Sequence, residues 1–71
     1  MEKNCVIVSR TAIPMFWAGG TTFSAEYPDA ALLTETAAIR RVKTLRKQIT
    51  FMACDAVRDY GLDSQETIYR S

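Results

Sequence analysis

The spacing of apolar and polar positions changes along this chain, and each change marks an expected element. Cys5-Val6-Ile7-Val8 is a continuous apolar run rich in β-branched residues. That pattern suits a central strand buried on both faces, or one roofed by a helix. Pro14 lacks an amide hydrogen, so the next segment starts at or after it, or lies on a sheet edge. Met15-Phe16-Trp17-Ala18 then reads as a second strand. Gly19-Gly20 is a turn signal, because glycine accepts positive φ at little steric cost, and Thr21 to Ala25 reads as a short strand pairing back across it.

From Thr34 the period lengthens. Ala38, Ile39, Val42 and Leu45 recur at helical spacing, which predicts a helix from about Glu35 to Arg46 or Gln48. Thr34 is the expected N-cap, and Glu35 in the first turn suits the helix dipole. Before it, Tyr27-Pro28-Asp29 reads as a loop. Ala30-Ala31-Leu32-Leu33 reads as either a very short strand or the approach to the helix.

Beyond the helix the pattern supports two readings. Ile49, Met52, Ala53, Ala56, Val57 and Tyr60 keep helical spacing, so one long helix to Tyr60 is an alternative. Ile49-Thr50-Phe51 is nevertheless rich in β-formers, and Ile49, Phe51, Ala53 and Val57 fit an alternating pattern nearly as well. A strand there also gives the sheet a closing partner, and is the expectation taken. Gly61 ends that element. Asp63-Ser64-Gln65-Glu66 carries capping-box chemistry, which predicts a short helical turn or a frayed tail over 61–71. The expected fold is α+β in a single domain, 1–71. It is a small, mainly antiparallel sheet of three to four strands with one amphipathic helix packed on one face.

Composition narrows the chemistry. At 71 residues and 48% hydrophobic content the chain is an ordinary globular composition near the lower size for one core. Such a core supplies roughly 3–5 kcal/mol. A homodimer is therefore expected, since association adds stability by mass action. With no histidine, the commonest general base and metal ligand is missing. Ser9, Ser24 and Ser64 have no visible base. Asp55, Asp59 and Asp63 stand four apart, but the chain has no histidine to join them and a metal site there is not expected. Gly19-Gly20-Thr21-Thr22 lacks the lysine of a phosphate loop. These readings predict no catalytic residues, no cofactor and no metal. Cys5 and Cys54 lie in apolar runs and are expected to be buried, reduced thiols. Met1-Glu2-Lys3-Asn4 opens the sequence without an apolar secretory core, and no run is long enough to span a membrane. A cytoplasmic protein with no membrane partner is expected.

The net charge of +1 is uninformative, but its distribution is not. Arg40, Arg41, Lys43, Arg46 and Lys47 are five of the nine basic residues. Arg40, Lys43 and Lys47 face away from the apolar stripe, with Arg41 and Arg46 on its flanks. Three readings follow: an acidic protein surface as partner, nucleic acid or another polyanion, or a solvated face. Asp55, Asp59, Asp63 and Glu66 crowd the last quarter, so a tail folded over the helix would neutralise the patch. Phe16 and Trp17, with Phe23 and Tyr27 nearby, concentrate aromatic surface. Adjacent strand residues point to opposite faces, so one of Phe16 and Trp17 must lie away from the helix. If the helix alone covers the sheet, that second face is open and suits a dimer or partner interface.

The order of segments resembles small phage- and prophage-encoded accessory proteins with a β-β-(β)-α-β layout. The resemblance is carried by Val6-Ile7-Val8-Ser9-Arg10, by Met15-Phe16-Trp17-Ala18-Gly19-Gly20, and by Asp29-Ala30-Ala31-Leu32-Leu33-Thr34-Glu35-Thr36-Ala37 leading into the basic helix. It covers most of residues 4 to 57. It implies a non-enzymatic protein that binds and blocks a host protein or protein complex, such as a CRISPR effector. Inhibitors of that kind are frequently acidic mimics of nucleic acid, a pattern from which this basic helix departs. The candidate partner-binding residues are Arg40, Arg41, Lys43, Lys47 and Trp17. The alternative is a small nucleic-acid-binding protein using the same basic helix face with Trp17 and Tyr27.

Overall fold

The computed structural model describes residues 3–48, 53–59 and 65–70. Its elements follow in the order β1 (Cys5–Ser9), β2 (Phe16–Gly19), β3 (Thr22–Ser24), a 3₁₀ turn (Tyr27–Asp29), α1 (Glu35–Gln48), β4 (Cys54–Asp59) and β5 (Gln65–Arg70). The strands form one antiparallel sheet in the order β3-β2-β1-β4-β5, with α1 packed on one face. The expected α+β architecture holds, with five strands instead of three to four.

The register explains which residues form the core. Opposite Cα partners in an antiparallel pair project to the same face. Cys5, Ile7 and Ser9 of β1 stand opposite Arg58, Ala56 and Cys54 of β4. Cys5, Ile7, Cys54 and Ala56 of this set lie under α1, whose Ala38, Val42 and Leu45 are buried against them and Trp17. Ile39 is half-buried at the margin of this cluster. The helical spacing read from the sequence therefore selects the packed side, as expected.

Both ends of the segment before α1 are accounted for. Thr34 caps the helix, its Oγ1 accepting from the Ala37 amide at 3.2 Å while its carbonyl accepts from Ala38 at 2.8 Å. Upstream, β1 and β2 splay apart after the Val8–Phe16 pair. Residues 31–33 fill the gap. The Ala31 amide donates to the Trp17 carbonyl at 2.9 Å, and Leu33 exchanges two backbone bonds with Cys5 at 2.8 and 2.9 Å. Of the two readings for this stretch, the approach to the helix is the one observed, with a single isolated bridge between Leu33 and Cys5 and no strand.

The turn from β2 to β3 places Gly19 at φ 118° and Gly20 at φ 55°. Gly20 occupies the first central position of the two-residue connection, where side chains are disfavoured. Trp17 Nε1 donates to the Gly20 carbonyl at 2.9 Å, tying the indole to this turn.

Phe16 and Trp17 do separate to opposite faces, and the part of the second face around Phe16 is covered. Phe16 pairs with Val8, outside the helix-side core. Tyr27 stacks edge-on against it with ring centroids 5.4 Å apart, and the Tyr27 hydroxyl donates to Asp59 Oδ2. Phe16 is 8% exposed. The 3₁₀ turn thus does for part of this face what a dimer partner was expected to do.

The tail reading is corrected. Gln65–Arg70 is a strand, not a helical turn or frayed end, and it pairs with β4 from Asp55–Arg70 to Asp59–Gln65. Thr67, Ile68 and Tyr69 are β-formers, and the pairing gives β4 the outer neighbour it would otherwise lack. A bulge between Ala56 and Val57 lets half-buried Ile68 and Tyr69 both pack toward the helix-side core. β4 itself is the strand expected after the helix. The Ile49-Thr50-Phe51 stretch and Gly61 lie outside the described residues.

Candidate partner-binding face

The outward side of α1 gathers the charge that the sequence singled out. Burying Ala38, Val42 and Leu45 turns Arg40 toward the opposite pole at 100° per residue, with Lys43 and Lys47 beside it along the same row. Arg40, Arg41, Lys43 and Lys47 are all exposed. Among the described residues, none of the four enters an ion pair.

The acidic residues are engaged elsewhere. Arg58, across from Cys5, donates through Nε to Glu35 Oε1 at 2.6 Å and through Nη1 to Glu66 Oε2 at 2.6 Å, joining α1, β4 and β5. Asp55 is 7% exposed and lies between Arg10 at 3.6 Å and Arg70 at 3.7 Å. Asp59 accepts from Tyr27. The expected neutralisation of the helix by a returning acidic tail is therefore not what Asp55, Asp59 and Glu66 do. Asp63 lies outside the described residues.

Two cations on this side rest on aromatic rings. Arg41 Cζ stands 5.1 Å from the Trp17 ring centroid, and Lys43 Nζ stands 5.5 Å from that of Tyr69. Both lie within the range where a cation is attracted to a ring face. Trp17 is 6% exposed and lies in the core cluster. It reaches the surface through the guanidinium laid across it, not as an open ring.

Two depressions flank Arg40. One, of about 270 Å³, is lined by Thr36, Ile39, Arg40 and Lys43. The other, of about 230 Å³, is lined by Leu33, Ala37, Arg40, Arg41 and Thr44. Sequence reasoning named the charges around them but not Ile39, Leu33 or Ala37 as surface-lining residues. Helical spacing was the signal available for Ala37 and Ile39, whereas Leu33 lies before the helix and is placed there by its bridge to Cys5.

The remaining candidate groups are structural in their contacts. The Ser9 hydroxyl bonds Thr11 Oγ1 at 2.9 Å and accepts from the Met15 amide at 2.9 Å. Ser24 Oγ donates to Asp29 at 2.8 Å. Cys5 and Cys54 are free and buried. Four residues of register separate them, about 13 Å along the strands. Burial pushes both thiols above their ordinary value of 9.0, with Arg58 opposing this at Cys5 and Asp55 reinforcing it at Cys54. Among the described residues, no three or more His, Cys, Asp or Glu side chains gather as a metal site, and no helix is long and apolar enough to cross a membrane.

Comparison with protein-family models, curated proteins and solved structures gives no match. The functional reading consequently rests on this face.

Proposed function

We propose that this protein is a non-enzymatic binding module that occupies an acidic surface of a protein partner through the outward face of α1. The observation that carries this reading is the row of Arg40, Lys43 and Lys47, exposed and without an ion pair among the described residues, while Asp55, Asp59, Glu35 and Glu66 have partners of their own. A near-neutral chain that uses its carboxylates away from its basic helix leaves that helix attractive to an outside anion. Arg41, held over Trp17, adds a cation whose position is fixed by packing. A phage-encoded inhibitor or modulator of a host protein, such as a defence complex, is the role that the resemblance of segment order adds to this reading.

Nucleic acid is the second reading, since an exposed row of cations also suits phosphates. The aromatic side chains among the described residues favour the protein partner. Single-strand binders offer rings on which bases stack, whereas Phe16 and Trp17 are buried and Phe23, Tyr27 and Tyr69 half-buried. Capture of tagged protein from a bacterial lysate, with and without nuclease, separates the two. The protein-partner reading predicts a discrete protein that survives nuclease and is lost in the Arg40→Glu, Lys43→Glu, Lys47→Glu variant. Recovery of nucleic acid alone overturns it.

A further inference from the structure

The two depressions beside Arg40 have a geometry that charge alone does not require. Thr36, Ile39, Arg40 and Lys43 stand at i, i+3, i+4 and i+7, and so do Ala37, Arg40, Arg41 and Thr44. Four residues at that spacing form the hole that receives a side-chain knob from a neighbouring helix. The depressions share Arg40 as the ridge between them. Half-buried Ile39 contributes apolar surface to one, and half-buried Leu33 and Ala37 contribute it to the other. Cations form their rims.

Resting on the proposed function above, we infer that the occupant of this face is an acidic amphipathic helix of the partner protein. One of its apolar side chains enters a hole beside Arg40, and its carboxylates meet Arg40, Lys43 and Lys47. Charge complementarity selects an acidic occupant. The apolar floors distinguish it from a merely acidic surface, because an unfilled hole forgoes contact and burial. A second copy of the chain does not fit here, since it would bring the same cations against one another.

The test uses the intact protein and two synthetic helical peptides of equal negative charge. One is built from Glu, Ala and Leu with leucines on a single stripe, and the other replaces each Leu by Gln. Fluorescence of Trp17, the single tryptophan of the chain, reports occupancy beside Arg41. Backbone amide shifts over Thr36 to Thr44 report position. The expected result is at least about tenfold tighter binding of the leucine peptide. That preference should be lost when Thr36→Gln and Thr44→Gln fill the rims without changing charge. Equal affinity for both peptides overturns the helix-knob inference and leaves the basic-face reading standing. Failure of both peptides to bind, or binding only of a duplex oligonucleotide in the same assay, overturns both.

Discussion

The guanidinium of Arg41 lies 5.1 Å from the centroid of the Trp17 ring, placing a surface cation on the core residue that also secures the β2–β3 turn. The contact links the basic face of α1 to the sheet beneath it. Replacing Arg41 with Ala should cost about 0.5–1 kcal/mol, the range of a cation–ring contact near the surface. It should also change the emission of Trp17, measured together with stability in one urea titration. Trp17→Ala removes a buried aromatic and should cost about 3–5 kcal/mol. That is comparable with the entire stability expected of a core this small, so this variant should be largely unfolded by circular dichroism.

Reversing Arg40, Lys43 and Lys47 to Glu should leave the fold intact. All three are exposed and make no ion pair among the described residues. The loss should stay within about 1–1.5 kcal/mol, divided between the Lys43 contact with the Tyr69 ring and an acidic residue placed near the helix C-terminus at Lys47. The urea midpoint tests this independently of binding.

Arg58 should behave differently from those three cations. It holds Glu35 at the start of α1 and Glu66 on β5, with its side chain 23% exposed. Arg58→Ala should cost about 1 kcal/mol or somewhat more, because two partly exposed pairs are broken together. A double-mutant cycle with Glu35→Ala should return a coupling energy well above that between Arg40 and Glu35.

Tyr27→Phe removes the hydroxyl that donates to Asp59 while keeping the ring against Phe16. The expected cost is about 0.5–1.5 kcal/mol. Tyr27→Ala also uncovers Phe16 and should increase binding of a hydrophobic dye, since the 3₁₀ turn would no longer shield that face.

The buried thiols set a pH dependence. Burial raises the Cys5 and Cys54 values above 9.0, with Arg58 and Asp55 modifying the shift in opposite directions. The unfolded chain releases these protons near that pH, while the folded chain retains them. Their contribution is constant below about pH 9 and declines above it, by at most about 1.4 kcal/mol per pH unit for each thiol. Stability from urea titrations between about pH 8 and about pH 10 should fall, and more shallowly in Cys54→Ala. The native thiols should also react slowly with a disulfide reagent under conditions where the unfolded chain reacts at once.

Local signals carried much of this architecture. Thr34 and the Ala38-Val42-Leu45 spacing define α1 because cap and stripe belong to the same helix. Cys5-Val6-Ile7-Val8 reads as a central strand because its composition suits burial on both sides. β5 was hidden because Asp63-Ser64-Gln65-Glu66 resembles a helix start, while the strand depends on β4 as a distant partner. The cover over Phe16 was equally hidden, since it requires the path that brings Tyr27 across the sheet to Asp59. At the candidate face the charges were legible one by one. That Arg40, Lys43 and Lys47 make no ion pair among the described residues was not, because it follows from where Arg58, Arg10 and Arg70 draw the carboxylates.

The most direct measurement compares the native protein with the Arg40→Glu, Lys43→Glu, Lys47→Glu variant as bait in one nuclease-treated bacterial lysate, after circular dichroism shows both folded. A discrete protein held by the native chain and missing from the variant is the predicted result. The same protein held equally by both would contradict the assignment of the α1 face as the contact surface.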